Sequence, residues 1–217
     1  MPEKKLRIEN NAITMNFNFQ EHIPTDFHDT SRVWIYQSNR LFSIQEAFQL
    51  EEMLEKFVAD WKTHGTPVKG YANLFFGQFI LFMADETAAG VSGCSTDTSV
   101  RLVKEVEQKF NVDLFNRQNL AFLVKDKIQI IPLNQFEYAI QNNFISPDTL
   151  YFNNTVLTKK EMADKWILPV KDSWLNKKIH FYSKINCLAE AIKSITLNPN
   201  TQCLIPIFPA TILALFH

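Results

Sequence analysis

Hydrophobic positions along this chain repeat with a period near two in some stretches and near 3.6 in others, and the changes of period mark out its elements. Arg32-Val33-Trp34-Ile35-Tyr36-Gln37 is rich in β-branched and aromatic residues and predicts a first strand. Ser43-Ile44-Gln45-Glu46 is a capping box, with Ser43 as N-cap and Glu46 set to reach back. The helix that follows carries Ala47, Leu50, Leu54, Phe57, Val58 and Trp61 on one stripe, while Glu51, Glu52, Glu55 and Lys56 fall largely off it. His64-Gly65-Thr66-Pro67 is the expected end of that helix, with glycine before proline. Residues 68–76 and 79–84 are apolar runs on either side of Gly77-Gln78, which is hairpin chemistry because glycine supplies the positive φ of a tight turn.

A second helix is predicted over 100–110, with Leu102, Val103, Val106 and Phe110 as its buried stripe. Residues 120–124 and 128–131 read as strands joined through Lys125-Asp126-Lys127. Asn134-Gln135-Phe136-Glu137 is read as the cap of a short helix ending near Asn143, and Leu150-Tyr151-Phe152 as a further short strand. Thr158-Lys159-Lys160-Glu161 is another capping box, opening a helix to about Trp166. The order strand, helix, strand, strand, helix, strand predicts an α+β fold of the ferredoxin-like, split βαβ kind. That plan is a mainly antiparallel sheet with helices on one face, here extended by a C-terminal hairpin and small helices. One domain over 15–175 is expected, with an extra segment at 1–14 and an atypical extension at 176–217.

Composition narrows the function classes. With 46% hydrophobic and 21% charged residues the chain is an ordinary globular one, and its net charge of −1 offers no concentrated basic surface for nucleic acid. Three cysteines with no close pair fit a reducing, cytoplasmic setting better than a disulfide scaffold. Residues 1–14 lack the apolar run of a signal peptide. After Lys193 no Asp, Glu, Lys or Arg occurs, and residues 204–216 are apolar but far short of the ~20 residues that span a bilayer. This tail reads as a docked arm, a weak interfacial anchor or an extension without selected structure, the last being favoured.

The candidate chemistry gathers at Gly90-Val91-Ser92-Gly93-Cys94-Ser95-Thr96-Asp97-Thr98-Ser99, a glycine-bearing loop feeding the second helix. Ser95, Thr96, Asp97 and Ser99 are N-cap or first-turn types, and open amides at a helix start hold anions. A thiol at Cys94 would feel the positive end of the helix dipole. A capped helix with Cys94 as a small buried hydrophobe is the plainer alternative. Asp85 and Glu86, at the end of the preceding strand, point to opposite faces of it, and as solvated acids they need no catalytic role. Trp34, Tyr36 and Arg40 lack the Lys and Arg density of an RNA-binding sheet face, so packing is their expected use. The histidines show no metal-ligand spacing, and the chain has neither a dinucleotide fingerprint nor a nucleophile elbow. No metal and no cofactor are therefore expected.

Several ordered segments carry a family resemblance. They are residues 32–40, Trp61-Lys62-Thr63-His64-Gly65, Asp85-Glu86, Gly93-Cys94-Ser95-Thr96-Asp97-Thr98-Ser99-Val100, Asp113-Leu114-Phe115, residues 148–154 and Ser173-Trp174. Over about 17–175 the chain resembles a family of short uncharacterised bacterial proteins that often bear the label "ABC transporter ATPase". The resemblance implies no known activity. A P-loop needs Gly-x-x-x-x-Gly-Lys-Ser/Thr, and nothing here fits, since the first basic residue after Gly93 is Arg101. Nucleotide hydrolysis by this chain alone is excluded on that ground, while a transporter accessory is a role the label alone supports.

The leading expectation is a cytoplasmic binding or regulatory module with no membrane span. Its ligand surface comprises Ser92, Gly93, Cys94, Ser95, Thr96, Asp97, Asp85, Glu86, Arg32 and Arg40, and its partner is a small anion or a protein. The alternative is an enzyme with Cys94 as nucleophile or redox thiol, His64 as base and Asp97 as orienting group. A third reading is self-association through an exposed sheet face.

Overall fold

A computed structural model describes residues 17–63, 65–87 and 97–179 in full, and residues 93–96 by their backbone. Chain contacts divide it into a unit ending at Asn176 and a second beginning at Lys177. The first unit is α+β, as its pattern predicts. Strand β1 (Arg32–Gln37) is followed by helix α1 (Ile44–Asp60), a ribbon of β2 (Lys62–Thr63) and β3 (Thr66–Pro67), and the hairpin β4 (Lys69–Phe75) and β5 (Phe79–Asp85). Helix α2 (Gly93–Phe110), hairpin β6 (Asn119–Val124) and β7 (Lys127–Pro132), α3 (Phe136–Gln141), β8 (Leu150–Phe152), α4 (Lys159–Lys165) and β9 (Ile167–Pro169) complete it.

Three strands form one antiparallel sheet in the order β1-β5-β4, and four form another in the order β7-β6-β8-β9. The first order is that of three strands of a split βαβ sheet. The fourth strand of such a sheet would be β6 on the free edge of β1, but β6 pairs with β7 and β8 instead. That edge of β1 is met by the residues before α4: the Val33 amide donates to the Leu157 carbonyl at 2.9 Å, and Arg32 bridges to Thr158.

Helices α1 and α2 cover one face of the first sheet, where Leu50, Leu54, Val103, Val106 and Phe110 pack on Tyr36, Ile80 and Phe82. The sequence reading had this sheet covered on one face only. The other face is buried as well, with Val33, Ile35, Phe79, Leu81 and Met83 packing against Phe27, Ala121, Phe152, Met162 and Trp166. All seven residues of β5 are buried in consequence, and an unbroken apolar run is what burial on both faces demands.

Local signals settle several boundaries. The Ser43–Glu46 box forms in full, the Glu46 amide donating to Ser43 Oγ at 3.2 Å and the Ser43 amide to Glu46 Oε2 at 2.7 Å. Helix α1 stops at Asp60, earlier than expected, because Gly65 at φ 84° serves the turn between β2 and β3. The hairpin turn uses Phe76 and Gly77, both at positive φ, in place of Gly77-Gln78. A phenylalanine tolerates that backbone only when packing holds it, and the Phe76 ring lies against Phe17, Phe152 and Trp166. Thr158 caps α4 as expected, whereas Asn134 falls within a 3₁₀ turn and caps nothing. No described helix is long and apolar enough to cross a membrane.

Candidate functional site

The residues expected to form one ligand surface are distributed over several places. Within the described residues α2 begins at Gly93, so the backbones of Gly93, Cys94, Ser95 and Thr96 already belong to the helix, which the sequence reading began near Val100. Only the first four amides of a helix lack intrahelical acceptors. Those of Asp97 and Thr98 are therefore engaged in the helix, whereas Ser95 and Thr96 fall within its first four residues. Asp97 and Thr98 are exposed, and Ser99 is buried. Ser92, with the rest of 88–92, and His64 lie outside the described residues, as do the side chains of Cys94, Ser95 and Thr96.

Asp85 is buried and fully engaged. Its Oδ1 accepts from the Thr87 hydroxyl at 2.7 Å and the Thr87 amide at 3.1 Å, and its Oδ2 from the His28 amide at 3.3 Å and Lys69 Nζ at 3.2 Å. The Thr87 hydroxyl leads the donors that hold this carboxyl well below the usual carboxylate range, against the opposing effect of burial. A carboxylate so stabilised is a poor proton acceptor, and here it ties the 26–28 segment to the sheet. Lys69 also reaches Asp26 at 3.1 Å, completing that tie. Glu86 forms an ion pair with Arg32 at 3.3 Å, and the Arg32 guanidinium lies 5.0 Å from the Trp34 ring centroid. Exposed pairs of this kind contribute only about 0.2–1 kcal/mol.

Arg40 is elsewhere, beyond the far end of β1, which is roughly 17 Å long by strand rise. It grips Glu46 through two bonds of 2.8 Å and also donates to the carbonyls of Leu41 at 3.0 Å and Phe110 at 2.5 Å. Phe110 ends α2, so a cation there complements the helix dipole. The Arg40 side chain heads the causes that lower the Glu46 carboxyl to about 2, followed by the Ser43 amide. Arg40 thus clamps the start of α1 to the end of α2. The structure brings Arg32 to Glu86 and seats Asp85 beside them, and it separates Arg40 from all three.

A different place has the geometry of a site. Where β1 and β8 end and β6 begins, a hollow of about 90 Å³ is lined by Gln37, Asn116, Arg117, Asn119, Asn154 and Trp174, among others. Its wall is a hydrogen-bonded chain. Gln37 Nε2 donates to the Asn119 carbonyl at 3.1 Å, Asn154 Nδ2 to Gln37 Oε1 at 2.8 Å, and Trp166 Nε1 to Asn154 Oδ1 at 3.1 Å. Trp174 Nε1 donates to the Tyr151 hydroxyl at 3.3 Å, and burial raises that phenol's pKa above its ordinary value. These groups satisfy one another.

Arg117 does not share in that closure. It is exposed, and its guanidinium lies 5.9 Å from the centroid of the Tyr36 ring. Among the described residues it has no carboxylate within ion-pair distance. The side-chain amide of Asn119 and the Asn116 Nδ2 likewise make no hydrogen bond among the described residues, while Asn116 Oδ1 accepts from the Gln118 amide at 3.0 Å. One cation and two amide donors thus surround the hollow. None of these is among the site residues expected from the sequence, although the polar runs next to strands, Asn116-Arg117-Gln118-Asn119 and Asn153-Asn154, are a usable sign. Among the described residues no three His, Cys, Asp or Glu side chains converge on a metal-sized space. No family model, no curated protein and no solved structure matches the chain.

Proposed function

We propose that this chain is a cytoplasmic binding module and that the hollow at Arg117 takes a small oxyanion head group, a carboxylate or a phosphate. The observation that carries the reading is a guanidinium without a carboxylate partner among the described residues, at the rim of a hollow whose other polar groups are mostly bonded to one another. Arginine presents paired donors to an oxyanion, and such charge-assisted bonds are about twice as strong as neutral ones. The size agrees with a head group: about 90 Å³ is the share of roughly three waters. Trp174, 41% exposed, supplies a flat apolar surface for the carbon attached to it.

The test is titration with acetate, malonate and inorganic phosphate, followed by amide chemical shifts and by tryptophan fluorescence. Shifts at 116–119 and 154–155 are expected, with saturation, and Arg117→Gln should weaken binding about tenfold or more, as loss of one charge-assisted bond implies. Identical titrations of the parent and Arg117→Gln would overturn the reading.

A further inference from the structure

The outer side of α1 has a surface that neither the core nor the hollow at Arg117 uses. Leu41, Ile44 and Phe48 are 49%, 79% and 64% exposed. Ile44 and Phe48 are one helical turn apart, on the same side as Glu51, Glu52 and Glu55 by their three- and four-residue spacing. Those three acids are exposed and form no ion pair among the described residues. At the Glu51 end a cleft of about 310 Å³ opens between α1 and the tip of the β4–β5 hairpin, lined by Asn18, His22, Glu51, Asn73, Phe75 and Phe76 among others. Glu51 is the one carboxylate in that lining, which Phe75 and Phe76 also border.

We propose that this face docks a segment of a protein partner that places an arginine or lysine next to apolar side chains. The basic group enters the cleft toward the Glu51 carboxylate, which it meets through charge-assisted hydrogen bonds, and the apolar residues cover Ile44 and Phe48. The charge pattern selects this occupant over others. An anionic lipid surface or a nucleic acid is repelled by three unpaired carboxylates. A second copy fits poorly: antiparallel pairing of the stripe lays Ile44 and Phe48 on the partner's acids, and parallel pairing sets acid against acid. From Ile44 to Ala59 the stripe is about 24 Å long, which matches a peptide of roughly 16 residues if helical.

The experiment is selection of a displayed library of random peptides of about that length on the full chain, followed by affinity measurement on the enriched sequences. Enriched peptides should pair Arg or Lys with Leu, Ile, Phe or Met. Glu51→Lys and Phe48→Ser should each weaken them about tenfold, the former with loss of salt sensitivity, while Arg117→Gln leaves them unchanged. Both altered positions are exposed on the helix, and unchanged melting temperatures confirm that the fold survives. No enrichment, enrichment of acidic or uncharged peptides, or affinities that ignore both substitutions would overturn the proposal. So would a concentration-dependent dimer that Phe48→Ser abolishes, or binding to vesicles of anionic lipid that competes with the peptides. Because Arg117→Gln is separate from this surface, failure here leaves the ligand reading of the hollow standing, and the reverse also holds.

Discussion

Two arginines of this molecule face opposite circumstances. Arg40 has every favourable partner within reach: a bidentate carboxylate, the last carbonyl of a helix and a neighbouring carbonyl. Arg117 rests near the edge of the same sheet with an aromatic ring beside it and no carboxylate among the described residues. The first corner is closed by its own side chains and holds two helices together. The second is built around a hollow whose walls bond to each other and leave the cation facing outward. A charged group that satisfies the fold is part of its architecture, and one the fold leaves unpaired is where an outside partner gains most.

The largest effect should come from the wall of the open corner. Asn154 links buried Gln37 to buried Trp166 by one bond each way. Asn154→Leu leaves Gln37 Oε1 and Trp166 Nε1 without partners at once. Leaving a buried polar group unpaired costs about 1–3 kcal/mol, so the variant should lose roughly 2–4 kcal/mol in denaturant unfolding. Loss of under about 0.5 kcal/mol would mean that water replaces Asn154 and that the wall is open rather than closed.

The contrast between the two corners was only partly legible in the sequence, for physical reasons. The cap at Ser43–Glu46 was readable because its partners are three residues apart. The capture of Glu46 and of the Phe110 carbonyl by Arg40 depends on how α2 is laid against α1, which periodicity does not encode. The double burial of β5 was written plainly in Phe79-Ile80-Leu81-Phe82-Met83-Ala84, an unbroken apolar run at odds with a sheet covered on one face. The split into two sheets was not, because a β6 that pairs with β8 and a β6 that pairs with β1 have the same local pattern. The hollow inherits that limit. Gln37, Arg117 and Asn154 are far apart along the chain and meet only once the pairing is fixed.

An intermediate effect is expected at the closed corner. Arg40→Met keeps much of the aliphatic stem and removes the bonds to Glu46 and Phe110. Because the pair is partly exposed and screened by solvent, the loss should be about 1–2 kcal/mol at neutral pH. The pH dependence separates this corner from a merely packed one. Glu46 is lowered in the folded protein from an ordinary 4.5 to about 2, so its contribution is complete above about pH 4.5 and is lost as pH falls toward 2. The parent should lose stability across that window, and Arg40→Met should flatten the profile. Equal slopes in both proteins would show that the clamp is not what holds Glu46 ionised.

The smallest effect on stability, and the sharpest contrast, is expected at Arg117. Its exposed guanidinium makes no ion pair among the described residues. Its nearest described aromatic is Tyr36, and exposed cation–π contacts contribute about 0.5–1 kcal/mol at most. Removing it also relieves an unpaired positive charge, so Arg117→Gln should melt within about 0.5 kcal/mol of the parent while losing oxyanion binding. Burial raises the Tyr36 phenol's pKa and the Arg117 charge opposes that rise. The variant should therefore move Tyr36 titration, followed by ultraviolet difference absorbance, further upward. A substantial loss of stability with no change in Tyr36 would place Arg117 in the same class as Arg40, as a residue the fold needs for itself.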